Sequence, residues 1–354
     1  MRLLRRLLLV LLLIGALFYV ADKYVVDSNS LHKISQVIKE KKNVIQTKTA
    51  PEKQLLSDRY GGDLFQWIDK TTKELEGKLG TPIRKDLSSY GYTWWVYTDQ
   101  KEQYIQFGIL NDKIQTVFGT GSKLSIDPLV IGQSYEEVNE VFPFSEEITY
   151  KKGISSYTFR LNNDDMKKRP LAKITNDLFI QCYFDTFTDK LSSVRILSGD
   201  LLLQHRPYEL QYRGELPEQP SLSDDEWLQV EHGMEQQIFD ITNVMRHSNQ
   251  KSSLKWEEKV SEVAFLHSKD MSVNNYFSHY AQNGDGLKER LAAKEVFYFS
   301  AGENIAAQYP DAAAAMEGWL NSKGHREALL NDGYTHLGVG VYRLYYTQNF
   351  LAKP

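Results

Sequence analysis

The sequence predicts an α+β chain built from two unlike halves. Three observations carry that reading. The chain has 354 residues, more than one core usually fills at roughly 100–200 residues per domain. Residues 61–215 hold an internal repeat in which a helix-periodic segment precedes strand-like segments. Residues 227–354 open instead with two apolar stripes of helical period. Composition agrees, since 42% hydrophobic and 25% charged residues are ordinary globular values. They exclude a wholly disordered chain and a multi-span membrane protein. A formal net charge of -4 leaves no broad basic surface, so no nucleic-acid partner is expected. The single cysteine, Cys182, permits no internal disulfide and no site of several Cys ligands.

Residues 1–26 set the compartment. Arg2, Arg5 and Arg6 precede an uncharged apolar run over residues 7–21. A positive end that stays inside and an apolar segment that enters the bilayer are the layout of an export signal. The run falls short of the roughly 20 residues of a comfortable span. Ala16 and Ala21 offer only weak cleavage sites, and Tyr24, Val25 and Val26 extend the apolar length. An uncleaved membrane anchor is therefore favoured, with secretion after cleavage as the alternative. Either places the bulk of the chain outside the cytoplasm. Residues 27–60 are polar and lysine-rich, with Lys39, Lys41, Lys42 and Lys48, and read as a solvated spacer.

The repeat domain, residues 61–215, begins with Leu64, Trp67, Ile68, Leu75 and Leu79 on one helical period, closed by Gly80 and Pro82. The strand-like segments TWWVYT, EQYIQFGI and KIQTVFG come next, the last two split by a turn at Asn111 and Asp112. The second copy runs from IGQSYEEVNEVFPF through SSYTFRL and LFIQCYF to KLSSVRIL, with a turn near Thr188 and Asp189. YIQF from Tyr104 and FIQC from Phe179 take the same place, as do the segments opening at Lys113 and Lys190. Two helix-plus-antiparallel-strand units are expected. Trp94, Trp95, Tyr97, Tyr104 and Phe107 alternate as strand residues and read as core and cross-strand pairs. Cys182 reads as a small buried residue.

A Pro- and acid-rich linker spans residues 216–226, where Ser223 and Asp224 can cap the next helix. The remaining segment, residues 227–354, holds six of the eight histidines. Val230, Met234, Ile238, Ile241 and Met245 form one helical stripe. Trp256, Val260, Val263, Ala264, His267 and Met271 form another. His267 thus lies on an apolar face and reads as a satisfied core histidine. Asp270, off that stripe, is expected to answer a basic side chain.

Three polar phrases point to chemistry: YFSH ending at His279, AGEN carrying Glu303 and Asn304, and WLNSKGHR carrying Ser322 and His325. An alanine-rich helix from near Asp311 leads into the last. Ser322 and His325 can share a face across a helix break at Gly324. Gly302 and Gly324 allow a close backbone approach or an unusual turn. Two imidazoles and a carboxylate suit a divalent metal with an open position, such as zinc. They equally suit an imidazole oriented by a carboxylate. Spacings of 24 and then 22 residues are too long for a local metal motif, and spacing alone favours a structural hydrogen-bond network.

Taken in order, FDITNVMR, VAFLHSKDM, NNYFSHY, GDGLKERL, AGENIAA, GWLNSKGHREALLN and HLGVGVY closely resemble the bacterial branch of the CAP, or SCP-like, superfamily. Residues 61–215 look like the CAP-associated domain that precedes CAP modules in Bacillus-type envelope proteins. The resemblance implies an α-β-α sandwich for residues 227–354, with a central antiparallel sheet. It also implies a cleft whose residues fall here on His279, Glu303 and His325. The family's second glutamate, three places after a tryptophan, falls on Ser322, so one member of the four-residue cluster of eukaryotic relatives is missing. The resemblance supplies no single reaction, and a cleft without an evident nucleophile–base–oxyanion set favours an envelope-anchored ligand-binding or interaction module. Its cleft of His279, Glu303, Ser322 and His325 is expected to take a lipid, peptide or cell-wall polymer, with or without a divalent metal. The alternative is a hydrolase. There Glu303 is general base or metal-orienting carboxylate, His279 and His325 are metal ligands or proton carriers, and Ser322 is nucleophile or water positioner. A helix-end serine is more often a cap than a nucleophile.

Overall fold

The computed structural model describes residues 64–353. The expected anchor, residues 1–26, and spacer, residues 27–60, lie outside the described residues. No helix among the described residues is long and apolar enough to cross a membrane.

The repeat is visible in the first domain. Its opening helical segment divides in two: a 3-10 turn at Leu64–Trp67 and helix α1 at Thr72–Leu79. The break falls where Asp69 takes a left-handed φ of 66° and Thr71 caps α1 by a reciprocal bond with Glu74. Gly80, at φ 79°, ends the helix. Strands β1 (Arg84–Leu87), β2 (Thr93–Thr98), β3 (Tyr104–Leu110) and β4 (Lys113–Thr120) form an antiparallel meander. Asn111 and Asp112 both have positive φ, as a two-residue hairpin turn requires. A small hairpin, β5 (Ser125–Ile126) with β6 (Leu129–Val130), leads to helix α2 (Tyr135–Val141). Ser134 caps α2 with Glu137 as Thr71 caps α1. Each cap also bridges the first residue of the last strand of its own repeat, Thr71 to Lys113 and Ser134 to Lys190.

The second copy departs from the first in one respect. Strands β7 (Glu147–Lys152) and β8 (Ser155–Arg160) leave the main sheet and pair in a separate three-stranded sheet of order β12-β8-β7, where β12 is Glu209–Arg213. After helix α3 (Asn163–Lys168), strands β9 (Leu171–Lys173), β10 (Leu178–Asp185) and β11 (Lys190–Ser198) complete a seven-stranded sheet of order β1-β2-β3-β4-β11-β10-β9. Helix α4 (Gly199–His205) closes the domain.

The linker ends early. Ser223 caps helix α5 (Asp224–Ser248), which therefore starts three residues ahead of Trp227. Strand β13 (Lys255–Trp256) precedes α6 (Glu258–Val273), so Trp256 belongs to the sheet and not to the helical stripe. Then come α7 (Leu287–Ala293), β14 (Ser300–Ala307), α8 (Ala312–Leu320), α9 (Lys323–Leu329), β15 (His336–Tyr342) and β16 (Tyr345–Ala352). The sheet order is β13-β15-β16-β14, antiparallel except for the short parallel pair β13 and β15. Gly338 and Gly340 let α6 lie directly on β15, because a Cβ at either would strike helix backbone.

The two domains share one interior. Helix α5 packs on β15 and, on its other side, on β1, β3 and β4. The layers run α6, four-stranded sheet, α5 with α8, seven-stranded sheet, then α1 with α2. Strand alternation divides the seven-stranded sheet accordingly. Trp94, Val96, Tyr104, Phe179 and Leu197 join Val230, Met234, Ile238 and Trp319 in a common core. Trp95, Tyr97, Phe107, Ile180 and Cys182 face the α1 and α2 side. The strand aromatics are thus core, as expected, and Cys182 is buried. The seam also buries charge: Arg195 Nη2 donates to Asp311 Oδ1 at 2.8 Å, with both side chains at most 3% exposed.

Candidate functional site

The site forms around β14, an edge strand of the C-terminal sheet. Glu303 lies on it, opposite Asn349 of β16. Its side chain is 4% exposed, yet both carboxylate oxygens are partnered. Oε1 meets His279 Nδ1 at 2.9 Å, and Oε2 accepts from Arg290 Nη2 of α7. Arg290 also donates through Nη1 to the His279 carbonyl at 2.9 Å. One guanidinium therefore holds both the acid and the loop that carries the imidazole. The His279 side chain remains 48% exposed.

His325 enters from α9. Its pKa is pushed below the ordinary imidazole range, first by burial and then by the neighbouring His279. Asn304, the residue after Glu303, donates to the His325 carbonyl at 3.1 Å and to Gln348 at 3.2 Å, and so ties α9 to the sheet.

Ser322 departs from expectation. It is the N-cap residue of α9, but its side chain makes no capping hydrogen bond. The helix break lies at Asn321 and Ser322, not at Gly324, which sits inside α9 with open space where a Cβ would go. Gly302 does serve a close approach, since a Cβ there would collide with the Tyr334 hydroxyl. His267 is a core histidine whose Nε2 meets the Ser278 carbonyl at 3.0 Å. Asp270 answers no basic group among its described hydrogen bonds; it accepts from Asn274 and the Tyr276 hydroxyl.

The donor set does not fit a resident metal held by three protein ligands. Both oxygens of Glu303 are committed, one of them to a cation, and His279 Nδ1 is committed to Glu303. No group of three or more His, Cys, Asp or Glu that could hold a metal occurs among the described residues. Glu303 as arranged orients an imidazole.

The first domain completes the site, which its sequence did not signal. Asn321 Oδ1 accepts from the Thr186 amide and hydroxyl, both at 2.8 Å, and its Nδ2 donates to the Phe184 carbonyl at 2.9 Å. Arg326 grips both oxygens of Asp185 at 2.9 Å. Ser322 and His325 lie between these two anchors. The tip of the β10–β11 hairpin thus clamps the segment that presents His325. Arg290 and Arg326 lie inside the sequence phrases GDGLKERL and GHRE, but Asp185 carried no local signal.

The architecture agrees with comparisons to known proteins. Residues 68–208 match the CAP-associated N-terminal family, and residues 239–352 match the cysteine-rich secretory protein family, called CAP. The Bacillus subtilis protein described as "Uncharacterized membrane protein YlbC" is 46% identical over 293 residues, covering 82% of this chain and 84% of that protein. The chain belongs to the CAP family. A crystal structure of an extracellular protein containing an SCP domain from Bacillus anthracis superposes on this CAP protein with a TM-score of 0.79 and 41% identity, covering 86% of this chain and 100% of that one. A cysteine-rich secretory protein from Staphylococcus aureus gives a TM-score of 0.73 at 26% identity, covering 84% of this chain and 95% of that one. Both cover the two domains together, so the pairing of a CAP domain with its associated domain recurs in solved structures. With its one cysteine, this CAP chain has no internal disulfide to support its shared interior.

Proposed function

We propose that this CAP protein is an envelope-anchored module that binds an extracytoplasmic cell-wall polymer through His279 and His325. The observation that carries the reading is the commitment of Glu303. Its oxygens are spent on His279 and Arg290, so the carboxylate aims an exposed imidazole outward. His325, with its lowered pKa, adds a neutral imidazole beside it. Phe277 and Tyr280 flank His279 in the chain and are 54% and 65% exposed. Exposed aromatic faces beside hydrogen-bonding imidazoles suit an extended ligand lying across the surface. The anchor reading rests on Arg2, Arg5, Arg6 and the apolar run after them, and on the membrane-protein description of YlbC.

A second reading draws on the same contact. A carboxylate that orients an imidazole is also the arrangement of a general base, as a hydrolase requires. Against it, no hydrogen bond joins Ser322 to either imidazole among the described contacts, so a nucleophile and base are not paired.

The test uses the full chain in detergent, cosedimented with purified cell-wall sacculi and, in parallel, with anionic lipid vesicles. Wild type is retained on sacculi, and His279→Ala and His325→Ala each weaken retention by about tenfold. Equal retention of both variants would overturn the binding reading. Release of soluble wall fragments that is lost in Glu303→Gln would establish the hydrolase instead.

A further inference from the structure

His267 does something in the core that an apolar side chain would not. It lies on α6, 1% exposed, and its Nε2 meets the Ser278 carbonyl at 3.0 Å. A carbonyl can only accept, so Nε2 carries the ring proton. Nδ1 is buried and meets no partner among the described contacts. A second proton there would have no acceptor, so the ring is the neutral Nε2–H tautomer. Burial, the largest influence, accordingly holds its pKa below the ordinary imidazole range, with Glu303 opposing and Arg290 adding to the depression. A buried nitrogen without a partner is a cost that leucine would avoid. What the ring gains is one bond to the carbonyl directly before His279.

Asp270 holds the other end of the same loop, residues 274–280. The chain leaves α6 through a turn in which Asn275 takes a left-handed φ of 53°. Asp270, three residues after His267 and so on the same side of the helix, accepts from Asn274 Nδ2 at 2.6 Å and from the Tyr276 hydroxyl. The Tyr276 ring meets the His267 ring edge-on, with centroids 6.5 Å apart and planes at 62°. Further along, Ser278 Oγ accepts from the Tyr280 amide at 3.0 Å, and Arg290 donates to the His279 carbonyl at 2.9 Å. The main chain is therefore fixed on both sides of His279, whose Nδ1 meets Glu303 at 2.9 Å. A side chain restrained in this way has less entropy left to lose when it engages a partner.

We propose that His267 is a positioning residue for His279: as a neutral Nε2–H donor it holds the Ser278 carbonyl so that the His279 ring stays on Glu303. This deepens the reading of His279 as a ligand-binding imidazole and rests on it. Glu303, already bound to a guanidinium, accepts from the ring, so a neutral His279 held there carries its proton on Nδ1 and leaves Nε2 an acceptor. Released from the Ser278 anchor, the ring shifts toward the Nε2–H tautomer that free histidine favours, and its hydrogen-bonding character reverses.

The test is 15N NMR of the full chain in detergent, labelled at the histidine rings, at about pH 9, well above the ordinary imidazole range. The signals absent from His279→Gln are those of His279, and in wild type they report the Nδ1–H tautomer. His267→Gln carries an amide donor as far from the backbone as Nε2, and keeps that tautomer. His267→Asn buries an equal amide one bond short of Ser278, and shifts the His279 population toward Nε2–H by about tenfold. A merely structural role would move both variants alike. Tyr276→Phe frees the loop's other anchor, shifts the tautomer in the same direction, and is measurable even where a substitution at His267 does not fold. An unchanged His279 tautomer in His267→Asn and Tyr276→Phe would overturn the proposal, as would equal shifts in His267→Asn and His267→Gln. Sacculus retention is followed in parallel: His267→Asn weakens it by about tenfold and His267→Gln keeps it. Wild type that is not retained at all ends the polymer reading, while the tautomers still decide the role of His267.

Discussion

Glu303, Arg290 and His279 act as one unit because each removes a cost from the others. Glu303 is nearly enclosed, and a buried carboxylate is expensive unless charge and hydrogen bonds compensate it. Arg290, 11% exposed, supplies both, and its second nitrogen ties down the His279 carbonyl. Glu303→Ala therefore leaves a poorly solvated guanidinium unpaired and lowers stability by about 3 kcal/mol. Arg290→Ala has a similar cost for the converse reason. In urea denaturation of wild type, both single variants and the double, the double variant is less destabilised than the sum of the singles. Strict additivity would show that the two residues do not act together.

At the scale of elements, the segment from α8 to α9 is held from both sides. Asn304 and Trp319 tie it to β14, the latter through a bond from its indole to the Ile305 carbonyl at 3.0 Å. Asp185, Thr186 and Phe184 tie it to the associated domain. Asp185→Asn removes the charge but keeps the shape and loses about 1.5–3 kcal/mol, the range for a hydrogen bond to a charged group. Because Arg326 follows His325 directly, the same substitution moves the His325 imidazole resonances and its NMR titration midpoint. An unchanged His325 titration would mean that the hairpin tip supports the fold but does not position the site. The internal repeat explains where this tip comes from. The β3–β4 turn at Asn111 and Asp112 and the β10–β11 turn at Asp189 are equivalent, but only the second reaches the CAP domain.

At the scale of the whole molecule, the layers place titratable groups where neither domain alone would bury them. His205 has Arg195 on Nδ1 and the Tyr92 hydroxyl on Nε2, each at 3.2 Å. Arginine can only donate, so Nδ1 is the acceptor and Nε2 carries the proton of a neutral ring. Burial, then Arg195, lowers its pKa to about 3. Between about pH 6.5 and 3 the unfolded chain binds a proton that the folded one refuses, so His205 withdraws stability as pH falls. Glu317 acts oppositely between its ordinary 4.5 and about 7, where the folded carboxyl keeps a proton that the unfolded one has lost. Comparing wild type with His205→Gln isolates the first effect. The variant loses a pH slope of at most about 1.4 kcal/mol per unit below pH 6.5 in chemical denaturation. Identical slopes in the two proteins would contradict the buried neutral histidine.

Local pattern sufficed for some of these features. Period-two alternation exposed the strands, while the covering of both faces of the seven-stranded sheet is a finding of the structure. The phrases around His279, Glu303 and His325 pointed to candidate residues, because they sit in short segments with their own turn and helix signals, and the structure pairs His279 with Glu303. Strict spacing misled where backbone conformation intervened. The left-handed Asp69 split one expected helix, and the break placed at Gly324 lies instead at Asn321 and Ser322. Nothing local revealed Asp185 beside Arg326 or Arg195 against Asp311. Those pairs join residues more than a hundred positions apart, across a seam made by two sheets sharing helix α5. The chain's own order thus determined the two domains and, as expectations, the export segment and the candidate residues of the cleft. Only tertiary packing decided that Glu303 orients an imidazole and that a hairpin of the associated domain holds Asn321 and Arg326, on either side of Ser322 and His325. The physical reason is range: helical and strand periodicity act over a few residues, whereas burial and charge pairing depend on which distant surfaces meet.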